Sequence, residues 1–320
     1  MPPRPPHTLA GPYLERASHW RKDEGRLRAA LADPSTLFVP VWQTRNSILR
    51  AGDALMAHLV AGAAAFTDRD PGEFVLLGEF RGQAVFAVAL SGERPQVGER
   101  LLEFTDLRWI AGELPADEAG LLAYARAMIH WRETHRFCGR CGAPTRASDG
   151  GHVLRCSNEA CRSQQFPRID PAIIVLITDG ERALLGRQAS WPPGRYSTIA
   201  GFVEPGESLE DAVAREVREE TGVIVDDVDY HSSQPWPFPS SLMLGFTAHA
   251  STTEISRMDD ELEDARWWTR EEIAHGAVAL PITHSISFRL VEDWYNAGAR
   301  RPLREEPGVR MWQLPRRGSV

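Results

Sequence analysis

Three glutamates could hold a metal ion: Glu216, Glu219 and Glu220. They stand at i, i+3 and i+4, a spacing that puts them on one face of a helix. Like charges so placed repel by roughly a few tenths of a kcal/mol per pair. They also fall near a helix C-terminus, the end that disfavours acids. A divalent cation relieves both penalties, and hard carboxylate oxygens suit Mg²⁺ or Mn²⁺. The plain alternative is a solvated acidic face. A second constellation gathers all four cysteines, Cys138, Cys141, Cys156 and Cys161, as C-x2-C-x14-C-x4-C. Four thiolates at this spacing suit a tetrahedral, structural Zn²⁺ with no open position for chemistry. Disulfides and a catalytic thiol are the alternatives. The four-residue gap before Cys161 makes it the least regular of the ligands.

The glutamates need a helix, and the stretch Gly201 to Val223 supplies one. Ser208 is suited to the N-cap, with Asp211 three residues on. Leu209, Ala212, Val213 and Val217 give a buried stripe, and Thr221-Gly222 ends the helix. Downstream, Ser233 to Met243 reads SQPWPFPSSLM. Prolines 235, 237 and 239 fix a rigid loop that projects Trp236 and Phe238 at little entropic cost. Such rings can stack on a nucleobase. A docking segment or a packed loop would use the same residues.

The stretch resembles the Nudix box, G-x5-E-x7-R-E-U-x-E-E-x-G-U, with U a bulky aliphatic. Gly201, Glu207, Arg215, Glu216, Val217, Glu219, Glu220, Gly222 and Val223 fill every defined position. The SQPWPFP run, the four-cysteine segment and FPRIDPAII (166–174) resemble the NADH pyrophosphatase branch of that family, strongly over about residues 130 to 295. The resemblance implies metal-dependent hydrolysis of NAD(H) to NMN(H) and AMP, and removal of an NAD cap from RNA. Glu216, Glu219, Glu220 and Glu261 would bind Mg²⁺ or Mn²⁺. Glu219 or Glu220 would assist the attacking water. Arg215 would pair with Glu207. Phe202 and Trp236 would clamp the nicotinamide. Phe166, Ile174 and Ser287 would line the pocket, with Gln234 a polar contact beside Trp236. The resemblance also implies a homodimer and leaves open which subunit's pocket Trp236 serves. A Nudix hydrolase for ADP-ribose or another nucleotide is the nearest alternative. A non-catalytic nucleotide- or RNA-binding protein is the alternative from another class, although no box glutamate is missing.

The rest of the 320 residues frames these sites. Apolar content of 42% and charged content of 25% are those of a globular protein. The net charge of −8 excludes a surface coated in basic groups. Even so, residues 131–168 carry seven arginines against three acids, a pattern of ordinary ribbon surface or of phosphate contact. No signal core and no run of about 18 apolar residues is present, which reads as a cytoplasmic protein that does not enter membranes.

Four segments are expected. Residues 1–130 form an α+β domain, 131–166 a zinc ribbon, 167–300 a Nudix α/β/α sandwich with a mixed sheet, and 301–320 a tail. In the first, helices are expected over 20–31 and 117–134, strands over 37–42, 47–50 and 101–110, and a hairpin about Arg81-Gly82. In the third, strands are expected over 171–177, 182–188, 223–234, 241–250 and 264–269, and helices over 270–275 and 285–295.

Overall fold

A computed structural model describes residues 6–62, 66, 70–93, 96–97, 100–257 and 261–313. The chain divides into two compact units. Unit 1 holds residues 1–169 and 236–240, and unit 2 holds 170–235 and 241–320.

In unit 1, helix α1 (Glu24–Ala32) precedes strands β1 (Leu37–Trp42), β2 (Arg45–Ala51), β3 (Ala54–Ala57), β4 (Val60–Ala61), β5 (Val75–Phe80) and β6 (Gln83–Leu90). A two-residue ladder, β7 (Gln96–Val97) with β8 (Arg100–Leu101), and β9 (Glu103–Thr105) follow. Helices α2 (Leu107–Ile110) and α3 (Ala116–Thr134) come next. The main sheet runs β3-β2-β1-β6-β5, with β4 also on β1 and β9 on β2. β1 is parallel to β6 and antiparallel to β2 and β4. One sheet face, with Val39, Val41 and Val85, packs against Leu121, Leu122, Ala125, Met128 and Ile129 of α3. The other face, with Phe38, Leu76 and Phe86, is covered by Leu27, Ala30 and Leu31 of α1. A small sheet of β10 (Thr145–Ser148), β11 (Val153–Cys156) and β12 (Gln164–Gln165) completes the unit.

Unit 2 is built on β13 (Asp170–Thr178), whose Ile173–Ile177 run is buried on both faces. It is antiparallel to β14 (Arg182–Arg187) and β15 (Ile199–Phe202). Helix α4 (Leu209–Thr221), β16 (Val225–Trp236), β17 (Ser241–Ala250), β18 (Asp264–Thr269), α5 (Arg270–Ala274), β19 (Ala279–Leu280), α6 (Ile286–Gly298) and β20 (Arg310–Met311) follow. The sheet runs β16-β17-β13-β14-β18, with β17 parallel to β13. Helix α4 packs on the face of Ile173, Val175 and Phe246, and α6 on that of Ile174 and Leu176.

The two units repeat one topology. In each, a central strand is antiparallel to the next strand and to a short one, and parallel to a later one. A short helix and a long helix close both units. One difference lies in the connection that follows the short strand. Between β15 and β16 lies α4, whereas among the described residues β4 and β5 are joined with only a 3-10 turn at Pro71–Glu73.

Four sequence expectations need correcting. The first helix starts at Glu24, not at residue 20, because the Asp23 side chain accepts from the Arg26 N–H and Ser18–Trp20 form a separate 3-10 turn. The strand expected over 101–110 stops at Thr105, where the Asp106 carboxylate accepts from the Arg108 N–H and starts α2. Pro235 and Trp236 are strand rather than loop, since β16 continues past Gln234 to Trp236 at the edge of the sheet. An edge tolerates a proline that cannot donate. Residues 301–313 are not a loose tail: Leu303 is buried, β20 pairs with β19, and the Trp312 indole donates to the Ala279 carbonyl at 2.9 Å.

Candidate active site and metal centres

Helix α4 begins with a reciprocal cap. Ser208 Oγ accepts from the Asp211 N–H at 3.1 Å, and the Asp211 carboxylate accepts from the Ser208 N–H at 3.2 Å. It ends at Gly222, whose φ of 73° is left-handed and whose N–H reaches the Arg218 carbonyl. A Cβ at Gly222 would stand 2.6 Å from the Ser256 carbonyl oxygen. So fixed, the helix turns Ala212, Val213 and Val217 into the core and carries Glu216 and Glu220 on the same buried side. Their residual exposures are 8% and 3%, whereas the Glu219 side chain is half exposed.

Glu216 lies flat against β15. A Cβ on Gly201 would land inside the Glu216 carboxylate, so only glycine permits this approach. Arg215 ties the surroundings together. Its Nε donates to Glu207 at 2.5 Å, and Nη2 donates to Glu207 at 3.0 Å and to the Phe202 carbonyl at 2.9 Å. Its Nη1 donates to Glu216 at 2.9 Å and to Glu219 at 3.1 Å. The guanidinium holds the Glu207 carboxyl below the usual range. Glu216 moves the other way: burial pushes it up despite Arg215, and the nearby charges of Glu219 and Glu261 add to the push. A divalent cation would neutralise such a buried carboxylate, but the oxygens of Glu216, Glu219, Glu220 and Glu261 are not gathered within 4.8 Å of one another as the thiols are.

The four thiols form a second centre, in unit 1. Their ligand atoms lie within 4.8 Å of one another, the one such group of metal-capable side chains among the described residues. Sγ–Sγ distances are 3.9 Å for Cys138–Cys161 and 3.4 Å for Cys141–Cys156. These are far beyond a disulfide bond and bracket the edge, about 3.8 Å, of a tetrahedron with Zn–S near 2.3 Å. Backbone N–H groups of Arg140 and then Cys141 bring the Cys138 thiol down to about 6. A turn at Asn158, whose carbonyl accepts from the Cys161 N–H, takes up the four-residue gap and brings Cys161 to the cluster.

Family models agree with this geometry. A NUDIX domain matches residues 168–287, an NADH pyrophosphatase-like rudimentary NUDIX domain 35–131, and an NADH pyrophosphatase zinc ribbon domain 133–166. The NAD-capped RNA hydrolase NudC of Stutzerimonas stutzeri is 44% identical over 231 residues, 72% of this chain and 79% of that one. The chain belongs to the Nudix hydrolases of the NADH pyrophosphatase type. The NudC of Mycobacterium bovis is 38% identical over 88% of this chain and 94% of its own. Nudix hydrolase 19, chloroplastic, of Arabidopsis thaliana is 46% identical, but the match spans 58% of this chain and only 45% of the relative. The word rudimentary suits unit 1: it keeps the Nudix sheet and closing helices, and among its described residues no helix occupies the place of α4.

The remaining residues of the Nudix reading fall in both units. In unit 2, Phe202 is 61% exposed, while Ile174 and Ser287 are buried. The Ser287 hydroxyl is spent on Thr198 N–H at 3.2 Å, Thr198 Oγ1 at 2.9 Å and Ser197 Oγ at 2.8 Å. Only its backbone is left to face a ligand. Gln234 is fully buried. Its Oε1 accepts from the Ile286 N–H and its Nε2 donates to the His284 carbonyl, each at 2.8 Å. The structure therefore gives Gln234 the start of α6 to hold, not an open polar edge. In unit 1, Phe166 is 63% exposed. Trp236 meets Phe238 edge-on at 5.0 Å, and both pack on the α3 side of the core.

Two residues that the sequence reading missed hold this turn. Arg126 of α3, buried, donates Nε to the Pro237 carbonyl at 2.6 Å and lies 4.7 Å from the Phe238 ring centre. Arg108 lies 5.0 Å from the same ring. The one signal was an arginine set among the apolar positions of α3.

Proposed function

We propose that the chain hydrolyses the pyrophosphate bond of NAD(H) to NMN(H) and AMP, and that it removes the NAD cap from RNA, leaving NMN and 5′-monophosphate RNA. The observation that carries the reading is the buried Glu216, pressed on Gly201 and pushed up first by burial and then by the charges of Glu219 and Glu261. Two relatives, from Stutzerimonas stutzeri and Mycobacterium bovis, bear the name NAD-capped RNA hydrolase. Glu216, Glu219, Glu220 and Glu261 would hold Mg²⁺ or Mn²⁺. When bound, such an ion neutralises the pyrophosphate oxygens and acidifies a water.

The chain's own residues do the rest. Glu219 or Glu220 accepts the proton of the attacking water. That water adds to phosphorus, the bridging P–O bond breaks, and the leaving phosphate carries away the bridging oxygen. Arg215 keeps Glu207, Glu216 and Glu219 in register through one guanidinium. The family resemblance supports Phe202 and Trp236 as aromatic faces for the nicotinamide, and Phe166, Ile174 and the Ser287 backbone as further contacts. The ribbon carries structural Zn²⁺. We place the domain limits near residues 130 and 166, and read the protein as a cytoplasmic homodimer. Among the described residues no helix is long and apolar enough to cross a membrane.

Product identification by mass spectrometry tests the reading, with NADH, NAD-capped RNA, ADP-ribose and 8-oxo-dGTP offered separately with Mg²⁺ and with Mn²⁺. NMNH and AMP from NADH, NMN and 5′-monophosphate RNA from the capped RNA, and slower turnover of the other two are expected. Turnover of ADP-ribose or 8-oxo-dGTP with NADH untouched would overturn it.

A further inference from the structure

Unit 1 keeps the Nudix sheet but covers one face differently. In unit 2 that face lies under α4 and its glutamates. In unit 1 it lies under α1, whose Leu27 and Leu31 pack toward Phe38 and Phe86. The replacement leaves a cavity of about 550 Å³ between α1, the segment before β5 and the ribbon turn at residues 147–151. That volume lies within the range of about 300–1,000 Å³ typical of small-ligand sites.

Its chemistry has two parts. Leu27, Leu31 and Phe86 give an apolar floor. Arg21, Lys22, Arg28 and Arg155 stand around it, against two acids, Glu24 and Asp149. Arg155 pairs with Asp149 at 3.2 Å, and Arg28 with Glu24 at 3.5 Å. Arg21 and Lys22 are the cationic surplus, in a chain whose net charge is −8. Arg21 is half-buried and lines the cavity. Lys22 is the one lysine of the sequence and is exposed. The sign of the site is thus reversed between the units. The glutamates of α4 need a cation before they can meet a phosphate, whereas the cations beside α1 can meet one directly.

We propose that this cavity binds a nucleoside monophosphate unit without a metal, the base on the apolar floor and the phosphate on Arg21 and Lys22. The unit could be a free mononucleotide or one residue of an RNA chain. The proposal is independent of the reaction assigned to unit 2.

Photo-crosslinking the whole protein with 8-azido-AMP, with no added divalent cation, followed by peptide mapping, tests it. Label on residues 21–31, 71–86 or 147–155 is expected, and wild-type protein suffices for that result. In parallel, AMP and a short 5′-phosphorylated RNA are titrated against wild type and the double variant R21Q/K22Q. Loss of two charged donors should weaken binding about ten-fold or more. Weakening of AMP binding identifies a free mononucleotide site, and weakening of RNA binding alone identifies a site for the chain. The variant should hydrolyse NADH at the wild-type rate, since neither residue belongs to the Nudix site. Label confined to other segments, or equal affinities of wild type and variant for both ligands, would overturn the proposal.

Discussion

Glu216 is held by contrary forces: burial resists its charge, and Arg215 supports it. A residue so balanced depends on the geometry of its neighbours. Gly201→Ala should therefore be costly although it adds one carbon. The new Cβ would fall inside the Glu216 carboxylate and drive it off β15. We expect kcat for NADH to fall about 10²-fold or more while far-ultraviolet circular dichroism stays the same, because a misplaced electrostatic group commonly costs that much. Wild-type turnover would show that the close approach is dispensable. Glu219→Gln and Glu220→Gln should each lower kcat by a similar factor, about 10²-fold or more, with the melting temperature held. Near-normal rates in both variants would sink the metal assignment. Arg126 acts at a distance from these groups. Arg126→Ala removes the donor to Pro237 and one cation from Phe238. KM for NADH should rise about ten-fold with kcat changed little, since a misplaced Trp236 weakens binding more than chemistry. A drop in kcat at constant KM would contradict that role. The box was legible because its residues are close in sequence. The Arg126 contact joins residues 111 positions apart and leaves no local pattern.

At the scale of elements, period and caps sufficed where burial is regular. The hairpin β5–β6, two β-rich runs, turns at Arg81 and Gly82, both with positive φ, as its sequence predicts. The strand β13 was equally plain as a continuous apolar run. Elements shifted where one side chain decides, as at Asp23 and Asp106, and where an edge position let β16 absorb a proline. The ribbon turn at residues 149–151 has a tie no pattern foretold. His152, buried beside it, places Nε2 2.7 Å from the Leu76 carbonyl of β5. That bond needs Nε2–H to donate. Burial first, then Arg21, Arg16 and Arg132, pull His152 down to about 4, against an ordinary value of 6.5. The sign follows. Between pH 6.5 and about 4 the unfolded chain holds the proton more tightly than the folded one. The stability that neutral His152 contributes is fully present above pH 6.5 and is lost as the pH falls through that window. At about 1.4 kcal/mol per pH unit the loss amounts to a few kcal/mol. Urea unfolding of wild type and His152→Gln from pH 7 to 4 should show a steeper acid loss in wild type. Parallel curves would exclude His152 as the source.

For the whole molecule, one sheet is used twice, once with the helix that carries the Nudix box and once without. Only the use with the helix was legible, because the box lies on a helix that has no counterpart at that place among the described residues of unit 1. Unit 1 instead includes the four-thiol ribbon and the turn at residues 236–240. Metal loss and substrate binding should therefore be linked through the chain's connectivity. Cys161→Ser removes one of four ligands, and zinc affinity and local folding energy are the same quantity in such ribbons. Zinc by mass spectrometry of metals should fall from about one per chain toward zero. Calorimetry should show one transition lowered by about 10 °C or more while a second stays in place. NADH hydrolysis should weaken mainly through KM, as Trp236 loses the fold that seats it, while the Mn²⁺ concentration giving half-maximal rate stays as in wild type. A variant that loses zinc yet keeps both transitions and its KM would show that the ribbon does not sustain unit 1.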